Sequence, residues 1–425
     1  MKTIALALLL AAVAANTPAA QTLRFDLTGA KTPKEGYIPV GQNNLYTDSA
    51  GHGYDFTPGW DGRSDRPYFF SVAVPDGNYR VRVTLGSKKS AGSTTVRAEA
   101  RRMMAENIPT RKGELREETF IVSKRDDRVN DKERVKLKPR EIGCMNWDGK
   151  LTLEFNGAAP RVSYIEIEPA PEVPTVFLCG NSTVVDNQAE PYTGWGQMLP
   201  QFFGDSVAVA NYAESGLTAS VFLSQGRLKK ALTQMKPGDY VVVEFGHNDQ
   251  KQKGPGSGAY YNYAYALKQF IDNARRKGAT PILVTPTRRR DFDTQGRVRD
   301  THGDYPAAMR EIAAREGVFL VDFQELTKTL IEAMGLEESK KLFVHAPAGT
   351  YEGQEADIAD NTHFSNFGAR EIARIFATEV SRSNLPLARM VKPDAAGFDP
   401  SEPDDPDKYT YHMSPFVLTN KPAGN

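Results

Sequence analysis

The chain has 425 residues, of which 40% are hydrophobic and 25% are charged, as is ordinary for a globular protein that folds in water. This length is enough for roughly two or three domains with sizeable cores. Lys and Arg together number 53, as do Asp and Glu, so the net charge gives no reason to expect nucleic acid or an anionic membrane as the general partner.

The chain begins with a pattern that is typical of a secretory signal peptide. Met1 and Lys2 are followed by an apolar run over residues 3–15 and then by small residues. The run is shorter than the ~20 residues that a membrane-spanning helix needs, and no later segment supplies one. We therefore predict a signal peptide over residues 1–20 and an exported protein, periplasmic or extracellular. A cytosolic chain with an apolar first helix is the alternative.

Residues 21–170 have the pattern of β-strands separated by turns. Apolar and β-branched residues alternate or run together at 23–27, 68–74, 79–85, 151–155 and 162–167. No long amphipathic helix interrupts these segments, so the pattern predicts an antiparallel β-sandwich domain. Basic and acidic residues crowd between Arg101 and Arg140. We interpret them as a solvated face of mixed charge, in preference to a nucleic-acid patch.

The repeated prolines of residues 169–174 predict a short, stiff linker to a second domain over residues 171–384. There, strand-like segments without polar alternation alternate with amphipathic, helix-like segments. The strands are predicted at 175–179, 207–210, 240–245, 281–285 and 318–321, and the helices at 194–203, 225–235, 260–277, 305–316, 325–334 and 367–381. This alternation predicts a parallel sheet covered by helices on both faces. Residues 385–425 are predicted to be an extended tail on the surface.

Cys144 and Cys179 are the two cysteines of the chain. An oxidising compartment would permit a disulfide between them, but a protein of this size does not need one. Two isolated, buried cysteines are an equally good interpretation. Neither cysteine has the spacing of a metal ligand.

The first strand of the second half ends in a glycine, an amide and two hydroxyls. The sequence reads VFLCGNSTVVD over residues 176–186, so Ser182 follows Gly180 and Asn181. A turn or a helix cap would use the same residues. A serine hydroxyl becomes a nucleophile only where a base removes its proton, and that base is usually a histidine. The question is therefore which histidine meets Ser182.

Asp360 lies three residues before His363, just before a predicted helix. On a turn, this spacing lets the carboxylate hold one ring nitrogen while the other nitrogen faces outward, as in a catalytic triad. By itself, the pair is also explained by a helix start with His363 on the surface.

Two other strand ends supply groups that can donate hydrogen bonds to an oxyanion. Gly216 follows the second strand, where a glycine lets the backbone N–H approach a ligand closely. Asn248 follows the third strand, and its side-chain amide can donate without carrying charge. Each stretch alone is also explained as an ordinary turn.

Together, and in this order along one parallel sheet, the four stretches resemble the SGNH (GDSL-like) hydrolase family. The resemblance covers roughly residues 175–381 and implies a three-layer α/β/α, flavodoxin-like domain. It implies that Ser182 is the nucleophile, that His363 is the base and that Asp360 is the orienting acid. An aspartate usually precedes the nucleophile in this family, whereas this chain has Asn181.

The resemblance also places the oxyanion hole at the backbone N–H groups of Ser182 and Gly216 and at the amide of Asn248. Four stretches look most like the rhamnogalacturonan acetylesterase branch, namely residues 177–183, 243–249, 303–308 and 360–364. That branch removes acetyl groups from pectic polysaccharide. The resemblance thus implies two-step acyl transfer on an acetylated polysaccharide or oligosaccharide, without a metal or an organic cofactor.

Asn181 is expected to be compatible with the turn at the nucleophile, because an amide can still accept a local backbone hydrogen bond. The lost charge bears on the rate and its pH dependence more than on the triad. A Gly-x-Ser-x-Gly elbow is absent around Ser182 because residue 184 is valine, which disfavours the common α/β-hydrolase arrangement.

Substrate-binding residues are predicted at the same edge of the sheet. The loop after the fourth strand carries Arg288, Arg289 and Arg290, whose planar guanidinium groups suit uronate carboxylates. A solvated basic loop explains them as well. Trp195 is predicted to stack on sugar or else to pack in the core, and His247, beside the oxyanion amide, is a further candidate.

Residues 21–170 resemble the galactose-binding or malectin-like β-sandwiches that often accompany glycan-active enzymes, so they either bind carbohydrate or brace the enzyme. Two other functions stay open. One is a lipolytic or thioester hydrolase of the same family, which would need a broad apolar acyl groove. The other is a carbohydrate-binding protein whose esterase site has decayed, with Asn181 as the sign of decay.

Overall fold

The computed structural model describes residues 22–56 and 66–423. The predicted signal peptide, residues 1–20, lies outside the described residues. Among the described residues, no helix is both long enough and apolar enough to cross a membrane.

The N-terminal part of the described chain is all-β, as predicted. Its strands are β1 (Leu23–Asp26), β2 (Ile38–Pro39), β3 (His52–Asp55), β4 (Tyr68–Ala73), β5 (Gly77–Leu85), β6 (Gly92–Ala98), β7 (Arg102–Thr110), β8 (Arg116–Lys124), β9 (Lys150–Ala159) and β10 (Val162–Pro169). One sheet has the order β3-β4-β9-β6-β7, and the other has the order β8-β5-β10-β1-β2. Alternate residues of both sheets, such as Val83 of β5 and Leu153 of β9, share one hydrophobic core.

From Thr175 onward the chain forms a parallel sheet between two layers of helices. Its strands are β11 (Thr175–Cys179), β12 (Ala208–Asn211), β13 (Tyr240–Glu244), β14 (Thr280–Val284) and β15 (Phe319–Val321), in the order β15-β14-β13-β11-β12. The helices are α1 (Trp195–Met198), α2 (Ala219–Ser224), α3 (Arg227–Gln234), α4 (Ala264–Arg276), α5 (Tyr305–Glu316), α6 (Phe323–Glu338) and α7 (Asn366–Ser381). The predicted flavodoxin-like, three-layer fold is confirmed.

The two helical layers explain why the strands read as unbroken apolar runs. Leu178 of β11 packs with α1, α6 and α7, whereas its neighbour Phe177 packs with the layer formed by α2 to α5. Because both faces of each strand are covered, successive residues must all be apolar. The polar residues then collect beyond the strand ends.

The two parts of the chain share one continuous sheet. Strand β8 pairs in parallel with β12 through Val122 and Val209, so the order runs β15-β14-β13-β11-β12-β8-β5-β10-β1-β2. The sheet thus continues on both sides of the predicted linker, and the domain boundaries at residues 170 and 384 stay predictions.

Arginines of the N-terminal part lie in the contact between the two parts. Arg101, between β6 and β7, pairs with Glu190 and donates to the carbonyls of Asn187 and Tyr192. The prediction of a solvated face is wrong for Arg101, Arg102 and Arg125, which are buried to 2% exposure or less. Carboxylates, carbonyls and aromatic rings across the contact take the place of water around these side chains.

The sequence patterns missed strands whose charged residues are buried. Arg97 of β6, for example, pairs with Glu154 of β9 at 2.6 Å, and neither side chain is exposed. A charge inside a strand breaks the apolar pattern from which strands are predicted. The patterns also missed an antiparallel hairpin of β16 (Phe343–Ala346) and β17 (Ile358–Phe364).

From Leu385 onward the described chain is extended apart from short 3₁₀ turns. Asn156 of the N-terminal part donates to the carbonyl of Met413 at 2.9 Å, and the N–H of Leu418 donates to the carbonyl of Glu190. The tail therefore crosses both parts before it reaches the edge of the parallel sheet. Cys144 and Cys179 are both free thiols, which decides between the two alternatives that the sequence left open; Cys179 is buried, whereas Cys144 is only partly buried.

Candidate active site

Three of the predicted side chains form a hydrogen-bonded row at the carboxyl edge of the parallel sheet. The hydroxyl of Ser182, which follows β11, lies 2.9 Å from Nε2 of His363. Nδ1 of His363 lies 2.7 Å from Oδ2 of Asp360. An N–H on Nδ1 that donates to the carboxylate leaves Nε2 as the acceptor for the serine hydroxyl. The row can therefore pass a proton from the hydroxyl to the imidazole.

Asp360 is held by the backbone of the strand that carries it. Its Oδ1 accepts the backbone N–H groups of Thr362 and His363 at 2.8 and 3.0 Å. Asp360 and His363 both lie in β17, so the prediction that they lie on a turn is wrong; the pairing of β17 with β16 is irregular between Ala359 and Phe364. Burial acts to raise the pKa of Asp360, but the hydrogen bonds from the ring and backbone of His363 and from Thr362 hold that pKa below its ordinary value.

Asn181 closes the turn that presents Ser182. Its Oδ1 accepts the backbone N–H of Thr183 at 3.1 Å, so the expectation that an amide is compatible with this turn is confirmed. The Thr183 hydroxyl lies 2.9 Å from the same Oδ1 and 2.8 Å from Oε1 of Glu244. Because that hydroxyl has one proton, it donates to one of these two oxygens at a time.

The environment of Glu244 raises the pKa of its carboxyl group. It is fully buried, and burial raises its pKa to about 7, although hydrogen bonds from Trp195 and Thr183 favour the ionised form. The Thr183 hydroxyl thus links the carboxyl group of Glu244, at the end of β13, to the turn that presents Ser182.

The loops after β12 and β13 are joined at the predicted oxyanion residues. Gly216 has a φ of +77°, a left-handed conformation that glycine adopts readily. Nδ2 of Asn248 donates to the carbonyl of Leu217, the next residue, at 3.0 Å. Asp249 accepts the N–H groups of Ala219 and Gly246 at 2.8 and 3.0 Å. These contacts hold the Gly216 loop and Asn248 side by side.

Trp195 does not face a substrate. It is fully buried, its indole N–H donates to Glu244, and its ring packs against Phe323 and Phe376 with centroids 5.4 and 5.0 Å away. The prediction of sugar stacking is therefore wrong. The ring belongs to the core behind the nucleophile turn.

Arg288 and Arg290 are engaged inside the protein. Arg288 donates to the carbonyl of Gln324 at 3.0 Å and pairs with Glu325, which ties the loop after β14 to α6. Arg290 donates to Oδ1 of Asn361, the residue after the triad aspartate. The prediction that Arg288 meets a uronate is wrong, because α6 already occupies its guanidinium group.

His247 and Arg289 lie together beside these groups. Arg289 donates to the carbonyl of His247 at 3.3 Å and to the hydroxyl of Thr301 at 3.0 Å. The His247 ring is buried, edge-on to the His302 ring at 4.5 Å. Burial, with further contributions from His302 and Arg289, holds the pKa of His247 well below its ordinary value, so its ring is neutral. A substrate-binding role for His247 and Arg289 stays a prediction.

A cleft of about 850 Å³ opens beside the triad, lined by both parts of the chain and by the tail. The ring of Tyr192, on the cleft wall, meets the His363 ring edge-on at 5.8 Å. Nζ of Lys421, from the tail, lies 3.8 Å from Oδ2 of Asp360. No local sequence signal marked Lys421 or the N-terminal residues of the cleft, because they come from segments far from the motifs.

Comparison with known proteins agrees with this fold and site. Residues 178–371 match the GDSL-like Lipase/Acylhydrolase family. Rhamnogalacturonan acetylesterase RhgT of Bacillus subtilis (strain 168) is 42% identical over 214 residues, which are 50% of this chain and 91% of RhgT. The probable rhamnogalacturonan acetylesterase YesY of the same organism is 33% identical over 219 residues, 51% of this chain and 96% of YesY.

The similarity of one relative extends into the N-terminal part. The uncharacterized esterase YxiM of Bacillus subtilis (strain 168) is 27% identical over 386 residues, which are 85% of this chain and 91% of YxiM. The match to RhgT covers 91% of that enzyme, and the family match over residues 178–371 spans every motif of the site. The chain therefore belongs to the GDSL-like lipase/acylhydrolase family and is an esterase.

Proposed function

We propose that the protein is an exported carbohydrate esterase that removes acetyl groups from pectic polysaccharide of the rhamnogalacturonan type. The observation that carries the proposal is the row of Ser182, His363 and Asp360 at the sheet edge. The substrate class is supported by the names of RhgT and YesY, the relatives at 42% and 33% identity.

The first half of the reaction forms an acetyl-enzyme. His363 removes the proton of the Ser182 hydroxyl, and the oxygen attacks the carbonyl carbon of the ester. Asp360 holds the imidazole in the required tautomer and stabilises the imidazolium that forms. The oxyanion accepts hydrogen bonds from the backbone N–H groups of Ser182 and Gly216 and from the amide of Asn248.

The second half releases acetate. It begins after the imidazolium of His363 has given its proton to the sugar oxygen, which leaves as an alcohol and completes the acetyl-enzyme on Ser182. Water then enters, His363 takes a proton from it, and the hydroxide attacks the acetyl group on Ser182. The proton returns to the serine oxygen as acetate departs. Each step uses side chains of the chain itself.

The character of the cleft favours a sugar over a long acyl chain. Charged residues such as Arg140 and Lys421 lie on its walls among apolar residues such as Trp147 and Leu418, whereas a lipolytic enzyme would need a broad, continuous apolar groove. The intact hydrogen bonds between Ser182 and His363 and between His363 and Asp360 argue against a decayed site, as does the turn at Asn181.

Acetate release from acetylated rhamnogalacturonan oligosaccharides tests the proposal. Ser182→Ala is expected to lower the rate by about 10⁴-fold or more, while Ser224→Ala, at an exposed serine of α2, serves as the matched control. Undiminished acetate release by Ser182→Ala would rule out Ser182 as the nucleophile. A strong preference for octanoyl over acetyl nitrophenyl esters would instead support the lipolytic alternative.

A further inference from the structure

Arg125, from the N-terminal part, is a buried cation without a carboxylate partner among the described residues. Its side chain lines the cleft beside the triad and is 2% exposed. Nη2 donates to the carbonyl of Asn211, whereas Nε and Nη1 have no hydrogen-bond partner in the described structure. A guanidinium group has five N–H donors, so most of its hydrogen-bonding capacity is unused.

Two aromatic rings fix the position of this guanidinium group. Its central carbon lies 4.3 Å from the centre of the Trp147 ring and 4.5 Å from the centre of the Tyr212 ring. Cation–π contacts of this kind favour the charged form and orient the planar group, but they supply no hydrogen-bond acceptor. Burial lowers the pKa of Arg125 to about 10, so the group is still charged at neutral pH.

The surrounding charges do not neutralise Arg125. Arg102 and Asp186 pair with each other at 2.6 Å. Burial raises the pKa of the nearby Glu99 to about 8, which leaves that carboxyl mostly protonated at pH 7. One positive charge therefore stays uncompensated at the cleft wall, and a buried charge without a partner is strongly destabilising.

The other carboxylates of the cleft wall already have partners. Glu141 pairs with Arg227, and Glu214 pairs with Arg140. Glu352 is exposed. The cleft thus offers an incoming anion one unpaired guanidinium group.

Two residues that line the cleft contact side chains of the row formed by Ser182, His363 and Asp360. Tyr192 lines it and contacts the His363 ring, and Lys421 lines it and approaches Asp360. Its volume of about 850 Å³ is enough for more than one sugar ring. A sugar linked to the acetylated residue would therefore extend into the part of the cleft that Arg125 lines.

We propose that Arg125 binds the carboxylate of a uronate residue that neighbours the acetylated sugar, so that the N-terminal part of the chain contributes to substrate specificity. This inference rests on the proposed function and deepens it. Arginine is suited to this contact because its planar fork donates two parallel hydrogen bonds to a carboxylate. The arginine that meets the uronate is thus Arg125 of the N-terminal part, whereas the sequence predicted Arg288.

The test compares acetylated rhamnogalacturonan oligosaccharides with the same oligosaccharides after their carboxyl groups are reduced to alcohols. The wild-type enzyme is expected to prefer the carboxylate form by about ten- to hundredfold in kcat/KM, the range of a charge-assisted hydrogen bond. Arg125→Gln is expected to abolish most of this preference, and Arg125→Lys to retain part of it. Equal rates of the wild type on both forms would overturn the proposal.

Arg227→Gln is the matched control. Arg227 is also a buried arginine beside the Trp147 ring, at 5.7 Å, but it is paired with Glu141. This variant is expected to keep the preference for the carboxylate form. Full preference in Arg125→Gln, or an equal loss of preference in both variants, would overturn the proposal. Equal rates of the wild type on the two substrates would overturn the proposal even if Arg125→Gln fails to fold.

Binding separates this proposal from the proposed function. Calorimetric titration of Ser182→Ala with both forms of the oligosaccharide measures recognition without hydrolysis. Tighter binding of the carboxylate form, with no acetate release by the wild type, would contradict the proposed function and support the Arg125 site. Acetate release without any preference for the carboxylate form would support the proposed function and contradict the Arg125 site.

Discussion

Nε2 of His363 lies 2.9 Å from the hydroxyl oxygen of Ser182, although 181 residues separate the two positions along the chain. Ser182 leaves the central strand β11, whereas His363 comes from the hairpin strand β17 just before the last helix. The parallel sheet puts the end of β11 at the edge where this hairpin packs. The distance is that of a hydrogen bond, as the proposed roles of nucleophile and base require.

The carboxylate of Asp360 is expected to act through His363. Asp360→Asn should lower kcat by about 10³–10⁴-fold with little change in KM, because an amide cannot stabilise the imidazolium and favours the wrong tautomer. Steady-state hydrolysis of 4-nitrophenyl acetate measures the effect. Asp399→Asn, at an exposed carboxylate, is the control. An Asp360→Asn rate within tenfold of the wild type would contradict the role.

Asn248 is expected to stabilise the oxyanion. Asn248→Ala should lower kcat by about 10²–10³-fold, the usual cost of removing one such donor. Its amide also donates to the carbonyl of Leu217, so the variant should lose about 1 kcal/mol of unfolding free energy as well. Urea unfolding separates the two effects, and Asn248→Asp should not restore kcat because a carboxylate has no N–H to donate. Wild-type kcat in a folded Asn248→Ala variant would exclude this donor.

Gly216 combines a left-handed backbone with a close neighbour. Its φ is +77°, and an added Cβ would lie 3.2 Å from the carbonyl oxygen of Ala423 in the tail. Gly216→Ala should therefore lower the unfolding free energy by about 1–2 kcal/mol and should also lower kcat. Both are measured on the purified variant, by urea unfolding and by acetate release.

Gly226 provides the matched control for this substitution. It has the same φ of +77°, but an added Cβ would meet nothing within 4 Å. Gly226→Ala should lower the unfolding free energy only by the cost of placing alanine in a left-handed backbone conformation, and it should leave kcat unchanged. If both variants lose kcat equally, the Gly216 loop has no special part in the reaction.

Glu244 should make stability fall as the pH rises. Its pKa in the folded protein is about 7, above the ordinary 4.5, so the folded state keeps its proton in a range where the unfolded state has lost it. Unfolding free energy should therefore drop by roughly 3 kcal/mol between pH 4.5 and 7 through this group. Glu244→Gln mimics the protonated carboxyl and should remove that part of the drop.

Urea unfolding of the wild type and Glu244→Gln at pH 5 and pH 8 measures the difference. The variant should gain stability relative to the wild type at pH 8 but not at pH 5. Glu244→Ala is the comparison, because it leaves the Trp195 N–H without its acceptor and should be less stable at both pH values. Parallel pH profiles for wild type and Glu244→Gln would show that Glu244 is ionised in the folded state.

The sequence by itself determined the α/β architecture and the positions of the site residues. The apolar run from Val176 to Cys179 predicts a strand covered on both faces, and the polar residues after it must lie at the sheet edge. The spacing of Asp360 and His363 places a carboxylate next to an imidazole. These are local properties, because periodicity and turn chemistry depend on residues that are neighbours in the chain.

Only the tertiary structure decided which polar and aromatic residues face a ligand. From the sequence, Trp195 and Arg288 could each face a ligand. In the structure, the indole N–H of Trp195 donates to Glu244, and the guanidinium group of Arg288 donates to a carbonyl of α6. Arg125 reads as part of a solvated charged segment, yet the contact between the two parts of the chain buries it at the cleft wall. Lys421 reaches Asp360 from the tail. Burial and pairing depend on partners from distant segments, and no local pattern records which segments will meet.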